Sequence, residues 1–337
     1  MKSWQITAKE KLELVQATEL LPEGHARVRI IKAGICGTDK MLYCGKFYGY
    51  PIIPCRHAVG KISEIGENEF GLKKGDNVVL DPYVPCMECY FCKTEDYCNC
   101  QNMGIYGLNR SGFLRDFAVM PQKNLRTLPE NVNIEDAIYV EYIATAIRLL
   151  DELDIQKGEH VTIMGAGILG NIIAQLVIYY QAIPILIDGN EKNLEIAKQS
   201  NIYYTISDEE HAGKSIHEIT GGRLARYVIY VSGSKKSIKN TLSYASNGGI
   251  IGIVGITGSS MMADLNIALK KQLVIKSVKN GCGNFDSAIN LLATKTVDLS
   301  AMSCKLFSFG EADKAFEQHK DEDLSNIFQL VVDCLAE

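Results

Sequence analysis

From residue 1 to about 140 the apolar positions come in short β-branched runs: ARVRIIKAGI (26–35), HAVGKISEIG (57–66), GDNVVLDP (75–82) and FLRDFAVMP (113–121). Gly, Pro, Asn and Asp turns separate them, and that pattern predicts a mostly β segment. From about 141 the period changes. EYIATAIRLLDEL (141–153) and ILGNIIAQLVIYYQ (168–181) repeat as helices, with HVTIM (160–164) between them as a strand. PILID (184–188), ARYVIYVSG (225–233), GGIIGIVGI (248–256) and QLVIKSV (272–278) are near-continuous apolar runs, as parallel strands covered on both faces require. The stretch FDSAINLLATKTVDL (285–299) and FGEADKAFEQHKDED (309–323) returns to helices, and FQLVVDCL (328–335) reads as a closing strand that rejoins the first segment.

This alternation predicts an α/β chain in two domains, as 337 residues also suggest. Residues 1–151 and 283–337 form the mostly β domain, with a cysteine lobe at about 84–101, and residues 152–282 form a doubly wound domain. No internal repeat and no low-complexity segment is present.

Composition narrows the partners. A net charge of -5 and a pI near 5.8, with no Lys/Arg-rich block, argue against a nucleic-acid surface. The first fifteen residues lack the apolar core of a signal peptide, and no apolar run reaches the roughly 18 to 20 residues of a membrane span. These features predict a cytoplasmic protein with neither nucleic acid nor membrane as partner. A reducing compartment favours metal ligation or free thiols over disulfides for the 11 cysteines.

Cys86, Cys89, Cys92 and Cys100 fall at the spacing Cys-x2-Cys-x2-Cys-x7-Cys. Short gaps let a tight loop aim three sulfurs at one point while a longer return brings the fourth, which is the donor set of a closed structural zinc site. Cys100 is the preferred fourth ligand, and spacing alone also admits Cys98. Glu88, Glu95 and Asp96 stand against Lys93 in the same lobe, so its field repels phosphates and does not suit a nucleic-acid finger.

Gly165-Ala166-Gly167-Ile168-Leu169-Gly170 directly follows the strand HVTIM and opens a helix. In such a turn the first glycine allows a tight bend, the second admits a pyrophosphate to the backbone, and the third lets helix and strand pack closely. The phosphates then meet the positive helix N-terminus. Asp188, at the end of PILID, is placed to accept both ribose hydroxyls and to repel a 2′-phosphate, which favours NAD over NADP; Lys192 is the nearby cation that keeps NADP open. Cys36, His57 and Glu141 offer a thiolate, an imidazole and a carboxylate, the donor types of an open zinc site with a fourth position for water or substrate oxygen.

The order GICGTDK, PCRHAVGKISEIG, GDNVVLDP, the four-cysteine lobe, SGFLRDFAVMP, VEYIATA, VTIMGAGILG and ILIDGN resembles the zinc-dependent medium-chain dehydrogenases, the alcohol, polyol and threonine dehydrogenase superfamily. The resemblance spans essentially the whole chain. It implies a GroES-like catalytic domain with a Rossmann domain, two zinc ions per chain and a homo-oligomer, dimer or tetramer, associating through the nucleotide domain, where SVKNGCG (277–283) is the expected edge strand. It further implies Cys36, His57 and Glu141 as catalytic zinc ligands, Thr38 as the hydroxyl that touches the substrate oxygen and starts the proton path, and Asp39 as the carboxylate that orients His57.

Two departures stand out. The ligand histidine sits in Arg56-His57-Ala58 in place of the Gly-His-Glu of many members, and Met41 replaces a histidine that passes the proton to solvent. Tyr43, Tyr48, Lys40 or the cofactor ribose with water are the substitutes on offer. The implied activity is hydride transfer between a secondary alcohol and NAD. Glu141 and the Asp81-Pro82 pair direct it toward polyols or sugar alcohols. The alternatives are a degenerate NAD- and zinc-binding protein, and an enzyme of phosphorylated polyols or ketoses in which Lys40, Lys46 and Arg56 meet the phosphate.

Overall fold

The computed structural model describes the chain except residues 48, 208–210, 232–234, 255–262, 303, 322–328 and 337. Tyr48, one of the relay substitutes, lies outside the described residues. Two sheets organise the rest. The first is mostly antiparallel and is built around the long strand His25–Ile35, whose apolar alternation buries Ala26, Val28 and Ile30. That strand pairs with His57–Ile65, with Phe117–Pro121 and with Gln329–Asp333. Asn77–Leu80 and Leu125–Thr127 extend one edge, and Cys304–Ser308 extends the other. The last strand thus returns to the first sheet. An N-terminal hairpin, Lys2–Ala8 with Lys11–Gln16, packs Trp4 and Ile6 into the same core.

The second sheet is six-stranded and parallel, in the spatial order Tyr204–Ile206, Ile183–Ile187, His160–Met164, Ala225–Tyr230, Ala245–Ile253, Val274–Ser277. Numbered along the chain that is 3-2-1-4-5-6, the doubly wound order, and the reversal falls beside His160–Met164. Ile163, Ile185, Leu186, Val228 and Ile229 are fully buried, which explains their unbroken apolar runs. Burying each such side chain contributes about 1.5–3 kcal/mol.

Helix Val140–Leu153 follows the first sheet and precedes the second, packing against helices Ile168–Tyr179 and Phe285–Ala293. Val274–Ser277 is one of the two edge strands of the parallel sheet, and only Ser277 of SVKNGCG belongs to it. The remainder turns away: Gly281 lies so close to the backbone of Ala144 and Thr145 that no side chain would fit.

Candidate active site

Antiparallel pairing sets Gly34 opposite His57, so the strand ends bring Cys36 beside the segment Cys55–His57. Cys36 then stands at the N-cap of a seven-residue helix, Gly37–Tyr43. Asp39, in the first turn of that helix and buried, reaches back to both segments. Its Oδ2 accepts from the Cys36 N–H and its Oδ1 from the Cys55 N–H, each at 2.8 Å. Asp39 therefore holds the backbones that carry Cys36 and His57. Cys55 has a left-handed φ of 67°, and its carbonyl accepts from Phe113 N at 2.8 Å. A Cβ at Gly112 would stand 2.3 Å from that carbonyl, which is why SGFLRDF needs glycine there.

Glu141 enters from helix Val140–Leu153, in the first turn, where the helix dipole favours a carboxylate. Its Oε2 lies 3.0 Å from His57 Nε2 and 3.8 Å from an Arg56 terminal nitrogen. Its Oε1 accepts from the Tyr83 hydroxyl and, at 3.3 Å, from Thr145 Oγ1. Arg56 Nε is 3.3 Å from His57 Nε2, so one ring nitrogen faces both a carboxylate and a guanidinium. The shorter contact makes Nε2 the donor to Glu141. Tyr142 stands edge-on to the His57 ring, centroids 4.5 Å apart.

Electrostatics follow from that packing. Burial alone would raise Glu141, but the Arg56 charge and the bonds from His57 and Tyr83 overcome it and hold the carboxyl well below the usual range. Burial works against the Arg56 charge, and Glu141 overrides it, keeping the guanidinium firmly protonated. Burial and the neighbouring Asp39 push the Cys36 thiol up to about 12.

The other residues singled out along the chain differ in exposure and partners. Tyr43 turns its hydroxyl to Glu317 and to the Glu10 carbonyl, and Lys46 is exposed. Met41 and Ala58 are buried, whereas Thr38 is half-buried at the start of its helix. Residues that sequence reasoning did not place here are Tyr83, Tyr142 and His319, whose Nε2 is 3.1 Å from the Cys36 carbonyl. Only Tyr142, adjacent to Glu141, carried a signal.

The four thiols converge. All ligand atoms of Cys86, Cys89, Cys92 and Cys100 lie within 4.8 Å of one another, with Cys86 and Cys92 sulfurs 4.0 Å apart. A tetrahedral zinc with bonds of about 2.3 Å separates its sulfurs by about 3.8 Å, so the set fits zinc. Backbone N–H groups of Cys92 and Gln101 draw the Cys89 thiol down to about 6, whereas burial pushes the Cys92 thiol up to about 12. Cys98 points away and donates to the Cys282 carbonyl at 3.0 Å.

At the C-terminal edge of the parallel sheet, Gly167 caps helix Ile168–Tyr179 without a side chain, leaving first-turn N–H groups for a ligand. A Cβ on Gly170 would fall 1.8 Å from the Gly165 carbonyl, so strand and helix pack at glycine contact. Asp188 closes the turn: Oδ2 accepts from Ala166 N at 2.7 Å and Oδ1 from Asn190 N at 2.8 Å. This bare helix start beside a carboxylate, at the point where strand order reverses, fits a dinucleotide.

Two family models match, an alcohol dehydrogenase GroES-like domain over residues 22–130 and a zinc-binding dehydrogenase over 169–294. The chain is 34% identical over 289 residues to an uncharacterized zinc-type alcohol dehydrogenase-like protein of Haemophilus influenzae, covering 84% of each chain. It belongs to the zinc-type alcohol dehydrogenases. Members of this family are NAD(P)-dependent oxidoreductases acting on alcohols, and this chain is one of them. D-xylulose reductase A of Aspergillus oryzae is 27% identical over 300 residues, covering 85% of this chain and 84% of its own. Among solved structures of the same fold, an alcohol dehydrogenase of Escherichia coli in complex with NADH superposes with a TM-score of 0.89 at 24% identity, covering 99% of both chains. Galactitol-1-phosphate dehydrogenase of Escherichia coli superposes with a TM-score of 0.89 at 21% identity, over 99% of this chain and 100% of that one.

Proposed function

We propose that this alcohol dehydrogenase transfers hydride between a secondary alcohol of the polyol or sugar-alcohol class and NAD, in a cleft between residues 1–151 with 283–337 and residues 152–282. The observation that carries the cofactor choice is the Asp188 carboxylate, 2.7 Å from the Ala166 N–H at the mouth of the glycine turn. There it receives ribose hydroxyls and repels a 2′-phosphate. NAD, when bound, takes the carbinol hydrogen as hydride at C4 of its nicotinamide. Gly165, Gly167, Ile168, Leu169 and Gly170 receive the pyrophosphate against the helix start. Cys36, His57 and Glu141 line the polar end of the substrate site, and the half-buried Thr38 hydroxyl relays the substrate proton to solvent, giving up its own proton as it accepts the substrate's.

Similarity to a xylulose reductase supports the polyol class. The engagement of Arg56 with Glu141 supports an unphosphorylated substrate, because the cation nearest the site is already paired. We further propose a cytoplasmic homo-oligomer joined through the nucleotide domain. Leu265, Leu269, Val274 and Ile275 expose apolar surface on the outer strand and its neighbouring helix.

The test is NADH formation by the purified full chain with a panel of polyols and simple secondary alcohols, using NAD and NADP in parallel. Turnover of at least one polyol with NAD is expected, with NAD affinity falling tenfold or more in Asp188→Ala. Failure to bind NADH in a fluorescence titration would refute this reading.

A further inference from the structure

We infer that Arg56 holds the place of the catalytic metal in this chain: its one zinc sits in the four-thiol lobe, and the fixed positive charge beside His57 and Glu141 is the Arg56 guanidinium. The inference deepens the reading above and rests on Cys36, His57 and Glu141 lining the substrate end of the cleft.

The first ground is convergence. Among the described residues, the lobe thiols are the group in which three or more Cys, His, Asp or Glu donor atoms all come within 4.8 Å of one another. Cys36, His57 and Glu141 do not form a second such group, although strand pairing and helix docking bring their segments together.

The second ground is where the donors point. Glu141 Oε1 is taken by Tyr83 and Thr145, and Oε2 faces His57 at 3.0 Å and Arg56 at 3.8 Å. His57 Nε2 donates to that carboxylate, and Arg56 Nε stands 3.3 Å from the same nitrogen. A metal entering here would have to displace the guanidinium from both neighbours.

The third ground is charge. A divalent ion held by His57 and Glu141 would stand at contact distance from the Arg56 guanidinium that meets the same two side chains, cation against cation in a poorly hydrated site, the Arg56 side chain being only 21% exposed. Residue 58 is a buried alanine and brings no carboxylate to part them, and buried Asp39 turns its oxygens to the Cys36 and Cys55 N–H groups. The residues at this position therefore suit an internal cation and do not suit zinc, whereas the lobe suits zinc.

The experiment is zinc content per chain by plasma mass spectrometry, after zinc loading and desalting, on four full-length proteins: wild type, Cys36→Ala, Cys100→Ser and the double variant Arg56→Gly/Ala58→Glu. Expected are one zinc in wild type, one in Cys36→Ala, a loss of that zinc in Cys100→Ser, and a rise to two in the double variant, which removes the cation and supplies a carboxylate. Two zincs in wild type, falling to one in Cys36→Ala, would overturn the inference, as would none in wild type. Circular dichroism checks the double variant's fold; if it is lost, wild type against Cys36→Ala decides alone. NADH titration and polyol turnover, run on the same wild-type sample, keep the two readings apart. Two zincs with turnover remove the Arg56 inference and leave the activity standing, while one zinc without NADH binding does the reverse.

Discussion

The Arg56 guanidinium lies 3.8 Å from the Glu141 carboxylate, and the two side chains are 21% and 5% exposed. Glu141 alone, deep beside His57, would be a buried anion with little water to stabilise it. Removing one partner of such a pair strands the other, at a typical cost of about 3–5 kcal/mol. Glu141→Ala should therefore destabilise the protein by about that much in urea unfolding. The double variant Arg56→Ala/Glu141→Ala should cost clearly less than the two single changes added together. Additive effects would mean that the pair is not coupled.

The glycine turn makes a steric prediction. A Cβ at Gly170 would stand 1.8 Å from the Gly165 carbonyl, whereas one at Gly189 meets nothing within 4 Å. Gly170→Ala should weaken NADH binding at least tenfold and lower stability by about 1–3 kcal/mol or more. Gly189→Ala should stay within about 0.5 kcal/mol of wild type in thermal unfolding.

The lobe separates two cysteines only two positions apart. Cys100 belongs to the converging thiols, and Cys98 donates to the Cys282 carbonyl. Cys100→Ser should lose zinc and open the 84–101 segment to limited proteolysis, while Cys98→Ser keeps its zinc. Equal zinc loss in both would place Cys98 in the metal site.

Asp81 yields a prediction in pH. Burial raises its carboxyl from 3.8 to about 6, against the Tyr83 N–H and Arg126 that lower it. The folded state thus holds a proton that the unfolded chain has released, so stability falls as pH rises from about 4 to about 6. The penalty is complete by pH 7, at about 3 kcal/mol at most. Asp81→Asn keeps an oxygen for the Tyr83 N–H and carries no charge to bury. Its melting temperature should exceed that of wild type at pH 7, with the gap closing near pH 4; a gap independent of pH would exclude the titration.

The features read correctly from the chain were those written in short spacings. The Cys86–Cys100 run converges, the glycine turn joins its strand to its helix, and the strands His160–Met164, Ile183–Ile187, Ala225–Tyr230, Ala245–Ile253 and Val274–Ser277 of the apolar runs lie in one parallel sheet. Arg56 was legible only as a cation near the site that could meet a phosphate, because nothing between residues 56 and 141 announces that helix Val140–Leu153 delivers Glu141 to it. Along the chain Tyr43 is a candidate for proton transfer, and the fold turns its hydroxyl to Glu317, a partner 274 positions away. SVKNGCG looked like an edge strand, but the close approach of Gly281 to Ala144 and Thr145 draws it off the sheet.

The sequence by itself determined the parts whose physics is local: strand and helix period, the glycine contact at the nucleotide turn, and a thiol spacing that brings four sulfurs together. Tertiary structure alone decided which charges face each other at the candidate site. Arg56, His57, Tyr83 and Glu141 come from separate segments, and strand register and helix docking set their distances. A charge that looks free along the chain is paired or unpaired only once the fold has placed its neighbours and removed the water.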